Sequence, residues 1–132
     1  MLKPGQIFET RRLLTQADFN SFAELSGDDN PIHVDPIFAA TTHFGGTVSH
    51  GMLLYSCLSG AIQQHVPGAR QLSHDMMFPT GTLAGEEIIV RMTVAEVDTE
   101  AREALLDVAT IRPNGAAGLQ GQTRIKLAED KP

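Results

Sequence analysis

The chain has 132 residues, of which 42% are hydrophobic and 20% are charged, and its formal net charge is −6. This length favours a single domain over residues 1–132 with a hydrophobic core of its own, and the composition is typical of soluble globular proteins. The ten Lys and Arg residues form no basic stripe of the kind that binds a nucleic-acid backbone. We therefore expect no nucleic-acid partner.

The single cysteine, Cys57, has no second cysteine with which to form an internal disulfide, and no Cys or His spacing near it indicates a metal site. The first residues lack the basic and apolar regions of a signal peptide, and no apolar stretch is long enough to span a bilayer. These features predict a cytoplasmic protein without a metal and without a membrane partner.

The N-terminal part is predicted to form a strand and then a helix. The β-compatible residues within 6–14 favour the strand. Thr15 and Asp18 have the spacing of a capping box, and apolar residues then recur at helical spacing as far as Gly27.

A shorter helix is predicted over residues 36–42, because Asp35 suits the N-cap and Pro36 the first helical position. Phe38 is its expected apolar anchor. The glycine-rich stretch 44–51 is predicted to be a flexible connection.

The remaining pattern predicts one buried helix followed by an antiparallel sheet. Apolar residues cover most of the circumference of the helix expected over residues 52–65, which predicts burial on several sides. The hydrophobic period then changes to two, and turn residues separate successive runs. The predicted strands span residues 71–78, 86–97, 103–112 and 119–127. The fold class is therefore α+β, with a sheet long enough to curl around the helix.

The stretch 25–36 has a density of prolines, glycine and titratable groups that no helix or strand interior would tolerate. Asp28 and His33 lie five residues apart, with Asn30 and Pro31 bending the chain between them. A turn there would aim both side chains into one space, and a carboxylate beside an imidazole indicates proton transfer.

The same residues also have a purely structural interpretation. Asp and Asn before proline are common turn formers, because their side chains bond to the local backbone. Asn30 is most simply a residue that supports the loop in this way.

The sequence from Ser26 to Pro36, followed by His50-Gly-Met-Leu53, resembles the MaoC-like hydratases, whose loop runs Gly-Asp-x-Asn-Pro-x-His-x-Asp-Pro. These are (R)-specific enoyl-CoA hydratases of the hot-dog fold. The resemblance implies a long antiparallel sheet wrapped around a central helix, a homodimer, and an acyl-CoA thioester as substrate. It implies no separate cofactor, because coenzyme A is part of the substrate.

By their positions in the motif, Asp28 and His33 correspond to the catalytic pair of this family. Gly51 corresponds to the residue whose backbone N–H binds the thioester oxygen, and the lack of a Cβ would allow a ligand to approach closely. Ser59 corresponds to a polar residue near the acyl pocket in some members. His50 has two interpretations, a residue that lines the site or a structural histidine that bonds the loop, and the second is preferred.

The function predicted on this basis is reversible hydration of trans-2-enoyl-CoA to (R)-3-hydroxyacyl-CoA by a water that Asp28 and His33 activate, with Asp28 as base. One alternative is a dehydratase of a branched, dicarboxylic or acyl-carrier-protein-bound 3-hydroxyacyl thioester. Another is a non-catalytic acyl-CoA-binding module, although the presence of both catalytic residues counts against it. The basic residues that would contact coenzyme A are not selected by any motif; the candidates are Arg70, Arg91, Arg112, Arg124 and Lys126.

Overall fold

The computed structural model describes residues 1–129, which fold into a five-stranded sheet accompanied by helices. In chain order the elements are β1 (Ile7–Leu13), α1 (Gln16–Ser26), α2 (Pro31–Val34), α3 (Pro36–Ala40), α4 (Gly51–His65), β2 (Arg70–Met77), β3 (Glu87–Asp98), β4 (Glu103–Ile111) and β5 (Ala117–Lys126). The predicted α+β class and the predicted strands are confirmed, with ends that differ by one or two residues.

The strands lie in the order β1-β3-β4-β5-β2, and every neighbouring pair is antiparallel. Side chains alternate along β3, and those on one face of the strand lie in the core. They are Ile88, Val90, Met92 and Val94, all at most 1% exposed. The two edges of the sheet are β1 and β2, because each of them pairs with one strand among the described residues.

Helix α4 packs against the sheet and supplies the other half of the core. Leu54, Leu58, Ala61 and Ile62 are buried, with the i, i+4, i+7, i+8 spacing of one helix face. The predicted burial on several sides is therefore too broad for this chain, since Met52 is 54% exposed. Among the helices of residues 1–129, none is both long and apolar enough to cross a bilayer.

The predicted caps of α1 are present. The Thr15 side chain accepts a hydrogen bond from the Asp18 backbone, and the Asp18 carboxylate accepts one from the Thr15 backbone at 2.9 Å. Gly27 ends the helix with φ +79°, a conformation that favours glycine, and its N–H bonds to the Ala23 carbonyl.

Helix α3 has its predicted cap but a different anchor. The Asp35 carboxylate accepts from the backbone N–H groups of Ile37 and Phe38. Phe38 is 46% exposed, whereas the next residue, Ala39, is fully buried. The prediction of Phe38 as anchor is therefore wrong: the small side chain occupies the inward position of this short helix.

The stretch after α3 is also more ordered than expected. Residues 47–50 are buried and run beside residues 82–84. Ser49 N donates to the Thr82 carbonyl at 2.8 Å, and Ala84 N donates to the Thr47 carbonyl at 3.2 Å. The prediction of a flexible connection is wrong for this segment, because extended pairing satisfies its backbone groups.

Candidate active site

The loop that leaves α1 is held in shape by its own side chains. Asp28 N donates to the Ser26 hydroxyl at 3.1 Å, and the Asn30 side chain caps α2 by accepting from Ile32 N at 3.0 Å. With Pro31 at its first position, α2 begins at a fixed place and carries His33 in its last turn. The structure therefore gives Asn30 a supporting role at the backbone.

The structure brings the predicted Asp28/His33 pair together. His33 Nε2 lies 3.8 Å from Asp28 Oδ2, and the His33 side chain is 14% exposed whereas that of Asp28 is 57% exposed. His33 Nδ1 lies 2.7 Å from the Val48 carbonyl. Because a carbonyl only accepts hydrogen bonds, this partner assigns the proton to Nδ1. In the neutral ring, Nε2 then keeps a lone pair on the side of Asp28.

His50 completes a cluster around this pair. Its ring stacks on the His33 ring with the centroids 3.8 Å apart and an angle of 23° between the planes, and Phe22 packs against it at 4.9 Å. His50 Nε2 donates to the Asp28 backbone carbonyl at 2.8 Å. His50 is 3% exposed, and its Nδ1 is buried without a protein partner.

Gln16 ties this region to α1. Its amide nitrogen donates to the His33 carbonyl at 2.9 Å, and its amide oxygen accepts from the Thr47 hydroxyl at 2.5 Å. Val48 N also donates to the Ile32 carbonyl at 3.1 Å. Sequence reasoning missed Gln16 and Val48, because neither stands in a motif and both act through segments distant in the chain.

A cavity of about 700 Å³ opens beside these groups, a volume ordinary for a ligand pocket. Asp28, His33, His50 and Gly51 contribute its polar and backbone part. Apolar and aromatic side chains form much of the remaining wall; these include Phe22, Phe44, Val48, Met52, Leu54 and Phe78. This arrangement suits an apolar chain with a reactive polar group at one end.

Gly51 begins α4 at the edge of this cavity, where the first N–H groups of a helix lack intrahelical partners. A Cβ at Gly51 would lie 2.8 to 3.0 Å from the ring atoms of Phe78, which is 46% exposed. The absence of a Cβ at Gly51 thus leaves room for the ring end of Phe78, which occupies space where the sequence predicts the approach of a ligand.

Ser59 is not brought into this cavity. It lies on α4 further from Gly51, and its hydroxyl donates to Gln71 Oε1 at 2.8 Å. One turn earlier, the Tyr55 hydroxyl and His74 Nε2 are 2.8 Å apart. Ser59 therefore belongs to a seam between α4 and β2, away from Asp28 and His33.

Asp28, His33 and His50 each offer one potential metal-ligating atom, and these atoms lie within 4.8 Å of one another. A zinc ion would have to lie about 2.1 Å from each ligating nitrogen, in the plane of its ring. Two nearly parallel rings stacked at 3.8 Å do not direct their nitrogens to one such point. The arrangement therefore does not suit a zinc ion bound by both rings, whereas it suits hydrogen bonding and proton transfer.

Most of the candidate basic residues for coenzyme A have local acidic partners. Arg91 Nε lies 2.6 Å from a Glu9 carboxylate oxygen, and the Arg112 guanidinium forms two bonds with Glu86. Arg124 pairs with Glu103 at 3.8 Å. These contacts favour a structural role for the three arginines.

Cys57 is a free, half-buried thiol on α4. Burial raises its pKa above the ordinary value, which the nearby Arg12 charge offsets only in part. A protonated thiol is a weak nucleophile. These properties suit a packing role for Cys57, which lies against the buried cluster.

The chain is similar to known hydratases both in sequence and in fold. The family model described as "MaoC like domain" matches residues 2–111. The chain is 34% identical to an (R)-specific enoyl-CoA hydratase of Aeromonas caviae over 96% of both chains. The solved structure of an (R)-hydratase from A. caviae, involved in PHA biosynthesis, superposes with a TM-score of 0.91 at 33% identity, covering 96% of this chain and 98% of that one.

A mitochondrial 3-hydroxyacyl-[acyl-carrier-protein] dehydratase of Arabidopsis thaliana is 35% identical over 67% of this chain and 54% of its own length. The observed sheet and helix thus match the hot-dog fold of the solved hydratase.

Proposed function

The chain belongs to the MaoC-like domain family, and on that premise we propose that it catalyses the reversible, (R)-specific hydration of trans-2-enoyl-CoA to (R)-3-hydroxyacyl-CoA. The observation that carries the proposal is the pair formed by the Asp28 carboxylate and His33 Nε2, 3.8 Å apart beside the cavity. The enzyme is a hydro-lyase that needs no separate cofactor, because coenzyme A belongs to the substrate.

The separation of the pair suits one shared water molecule. A distance of 3.8 Å is too long for a direct hydrogen bond, but one oxygen can lie about 2.8 Å from both atoms. The carboxylate and the His33 Nε2 lone pair are both acceptors. Such a water would donate both of its protons to the pair and direct a lone pair of its oxygen towards the substrate.

In the forward reaction, the water oxygen bonds to C3 as Asp28 removes one of its protons, and the C2–C3 double-bond electrons move to the thioester oxygen. The proton then passes from the pair to C2 as the enolate electrons return. The elements of water are added in balance, and the thioester remains intact. His33 orients the water and relays the proton, since the shared water joins the two groups.

Gly51 is the proposed donor to the enolate oxygen. Its N–H lies at the N-terminus of α4, where the helix dipole and the unpaired N–H groups favour negative charge. Phe78, which packs over Gly51 and is half exposed, would have to admit the thioester along one side of its ring. Ser59 could contribute to acyl binding only through the seam with β2.

The proposed location is the cytoplasm, and the proposed assembly is a homodimer. The homodimer is supported by exposed apolar side chains on or next to edge strand β2 and at the start of α4; these are Met52, Leu72, Met77 and Phe78, each 42 to 56% exposed. A second copy would remove this apolar surface from water.

The test is loss of the enoyl-thioester absorbance when purified protein is mixed with crotonyl-CoA and with a longer enoyl-CoA, followed by chiral analysis of the product. Formation of the (R)-3-hydroxyacyl-CoA is the expected result. Turnover of acyl-carrier-protein thioesters alone would move the assignment to the carrier-bound dehydratases, which the relative from Arabidopsis represents. No turnover of either substrate class, with binding of acyl-CoA retained, would identify a non-catalytic binding module.

A further inference from the structure

We propose that His50 is a positioning residue that fixes the Asp28/His33 pair against the N-terminus of α4. The turnover part of this inference rests on the proposed hydratase function, whereas its geometric part does not. His50 touches both members of the pair: it donates to the Asp28 carbonyl at 2.8 Å, and its ring stacks on His33.

The loop that holds Asp28 depends on such an external bond. Asp28 lies between the end of α1 and the start of α2, in a stretch without helical or strand hydrogen bonds. Its N–H bonds to Ser26, the last residue of α1. Among residues 1–129, the bond from His50, the N-cap of α4, is the one that joins Asp28 to the start of that helix. Without it, the carboxylate would keep its local turn but lose its fixed distance from the helix.

His50 also stands directly before Gly51, the proposed donor to the enolate oxygen. Val48, two residues earlier, accepts from His33 Nδ1 and donates to the Ile32 carbonyl. The buried residues 48–50 therefore hold His33 through Val48 and Asp28 through His50, and Gly51 directly follows them. Its residues set the separation between the water-activating pair and the thioester-binding end of the site, which must match the two ends of one substrate.

The hydrogen-bond partners fix how His50 performs this role. Since the Asp28 carbonyl only accepts, the His50 proton is on Nε2. The Nδ1 atom then carries a lone pair and has no protein partner. Although His50 is the N-cap residue of α4, its side chain accepts no hydrogen bond from the backbone of that helix. The contacts of His50 are thus with the catalytic pair, and a role limited to capping the helix is excluded.

Two substitutions separate the hydrogen bond from the ring. His50→Phe keeps an aromatic ring for His33 and Phe22 and removes the donor. His50→Gln removes the ring but keeps an amide N–H that can reach the Asp28 carbonyl. The matched control is His65→Phe, which removes a half-buried histidine whose Nε2 bonds Thr10 and whose ring packs on Phe8, remote from the site.

We expect His50→Phe to lower kcat about 10- to 100-fold, as small displacements of reacting groups do, with KM and the thermal midpoint nearly unchanged. His50→Gln should regain most of that loss, and His65→Phe should keep the wild-type kcat. Wild-type kcat in His50→Phe would overturn the proposal, as would equal loss in both His50 variants at an unchanged thermal midpoint. If His50→Phe fails to fold, a kcat of His50→Gln near the wild-type value supports the proposal, and a tenfold or greater loss at an unchanged thermal midpoint overturns it.

A measurement without substrate distinguishes failure of this inference from failure of the proposed function. The ¹⁵N spectrum of the imidazole rings should place the proton of neutral His50 on Nε2 and that of neutral His33 on Nδ1. In folded His50→Phe, or in His50→Ala if the former does not fold, the backbone signals of residues 28–30 should shift. A His50 proton on Nδ1 would overturn the inference even in an active enzyme. The expected spectrum in a protein without hydratase activity would reject the proposed function and leave the positioning geometry standing.

Discussion

His33 enters the cavity with only one ring nitrogen available for chemistry. Its Nδ1 is bound to the Val48 carbonyl at 2.7 Å, so Nε2 faces Asp28 as a lone-pair acceptor. The Asp28 side chain is 57% exposed, and its carboxylate is the second acceptor beside the proposed water. In the proposed mechanism Asp28 removes the proton and His33 orients the water.

Replacing Asp28 by Asn tests this assignment at one residue. The change is nearly isosteric and removes the charge, so activity should fall about 100-fold or more. The free energy of unfolding should change by less than about 0.5 kcal/mol, because the side chain is largely exposed. Steady-state hydration of crotonyl-CoA and thermal unfolding measure the two quantities.

Asp29→Asn is the matched control, since it makes the same change of charge one residue away. Asp29 is exposed and does not line the cavity. It should keep nearly full activity. Equal losses in the two variants would show that only the local charge matters, and half or more of the wild-type activity in Asp28→Asn would remove Asp28 from the role of base.

Helix α2 is the short element that positions His33 in the site. It is a helix of four residues that holds His33, and none of its residues is buried. Such a short helix has little stability of its own, so its position depends on the Asn30 cap and on the bonds of its backbone to Gln16 and Val48.

Removing the α2 cap should therefore affect activity as well as stability. Asn30→Ala should cost about 1 kcal/mol and reduce kcat roughly tenfold or more through displacement of His33. Asn30→Asp keeps the acceptor oxygen and should restore most of the stability. The control is Asn114→Ala, which removes the same type of bond to the residue two positions on, at 2.9 Å in the turn before β5. A similar fall of kcat in both alanine variants would contradict a specific role for the α2 cap.

The sequence allowed local features of the fold to be predicted and left the distant ones open. The Thr15 capping box, the Asp35 cap and the period-two strands depend on neighbouring residues, and each is present. The pairing of residues 47–50 with residues 82–84 depends on segments far apart in the chain, so local pattern suggested a flexible connection.

In the site too, the local features could be predicted and the tertiary contacts could not. Asp28 and His33 share one motif, and their proximity could be predicted from the turn between them. The stacking of His50 on His33, and the packing of Phe78 over Gly51, result from tertiary contacts that no spacing encodes. Only the resemblance, and no motif position, related Ser59 to a residue near the acyl pocket of some family members, and the fold turns its side chain towards β2.

At the scale of the whole molecule, the β2 edge of the sheet carries a surface, between α4 and β2, that is suited to association. Exposed apolar side chains accumulate there, and the polar seam residues Tyr55 and Ser59 bond across to β2. An edge strand with unpaired backbone groups beside apolar side chains is a template for association. The proposed homodimer would use this edge.

Leu72→Glu tests this edge, because a carboxylate buried without a partner at an apolar contact costs several kcal/mol. Sedimentation velocity should find a dimer for the wild type and a monomer for this variant. Ile7→Glu is the control, since Ile7 is an exposed apolar residue, 58% exposed, on the opposite edge strand β1. Loss of the dimer in Ile7→Glu alone would place the contact on β1, and a monomeric wild type would reject the homodimer.

The strand order also has a consequence for the synthesis of the protein. Strand β2 has its partner in β5, the strand nearest the C-terminus of this sequence, and β1 has its partner in β3. Because the ribosome makes the chain from the N-terminus, β2 stays unpaired until β5 has emerged. Since Phe78 directly follows β2 and packs over Gly51, this wall of the cavity should be among the last parts to form. Nascent chains that end before β5 should therefore expose the apolar side of α4, and they are the species that a chaperone would have to protect.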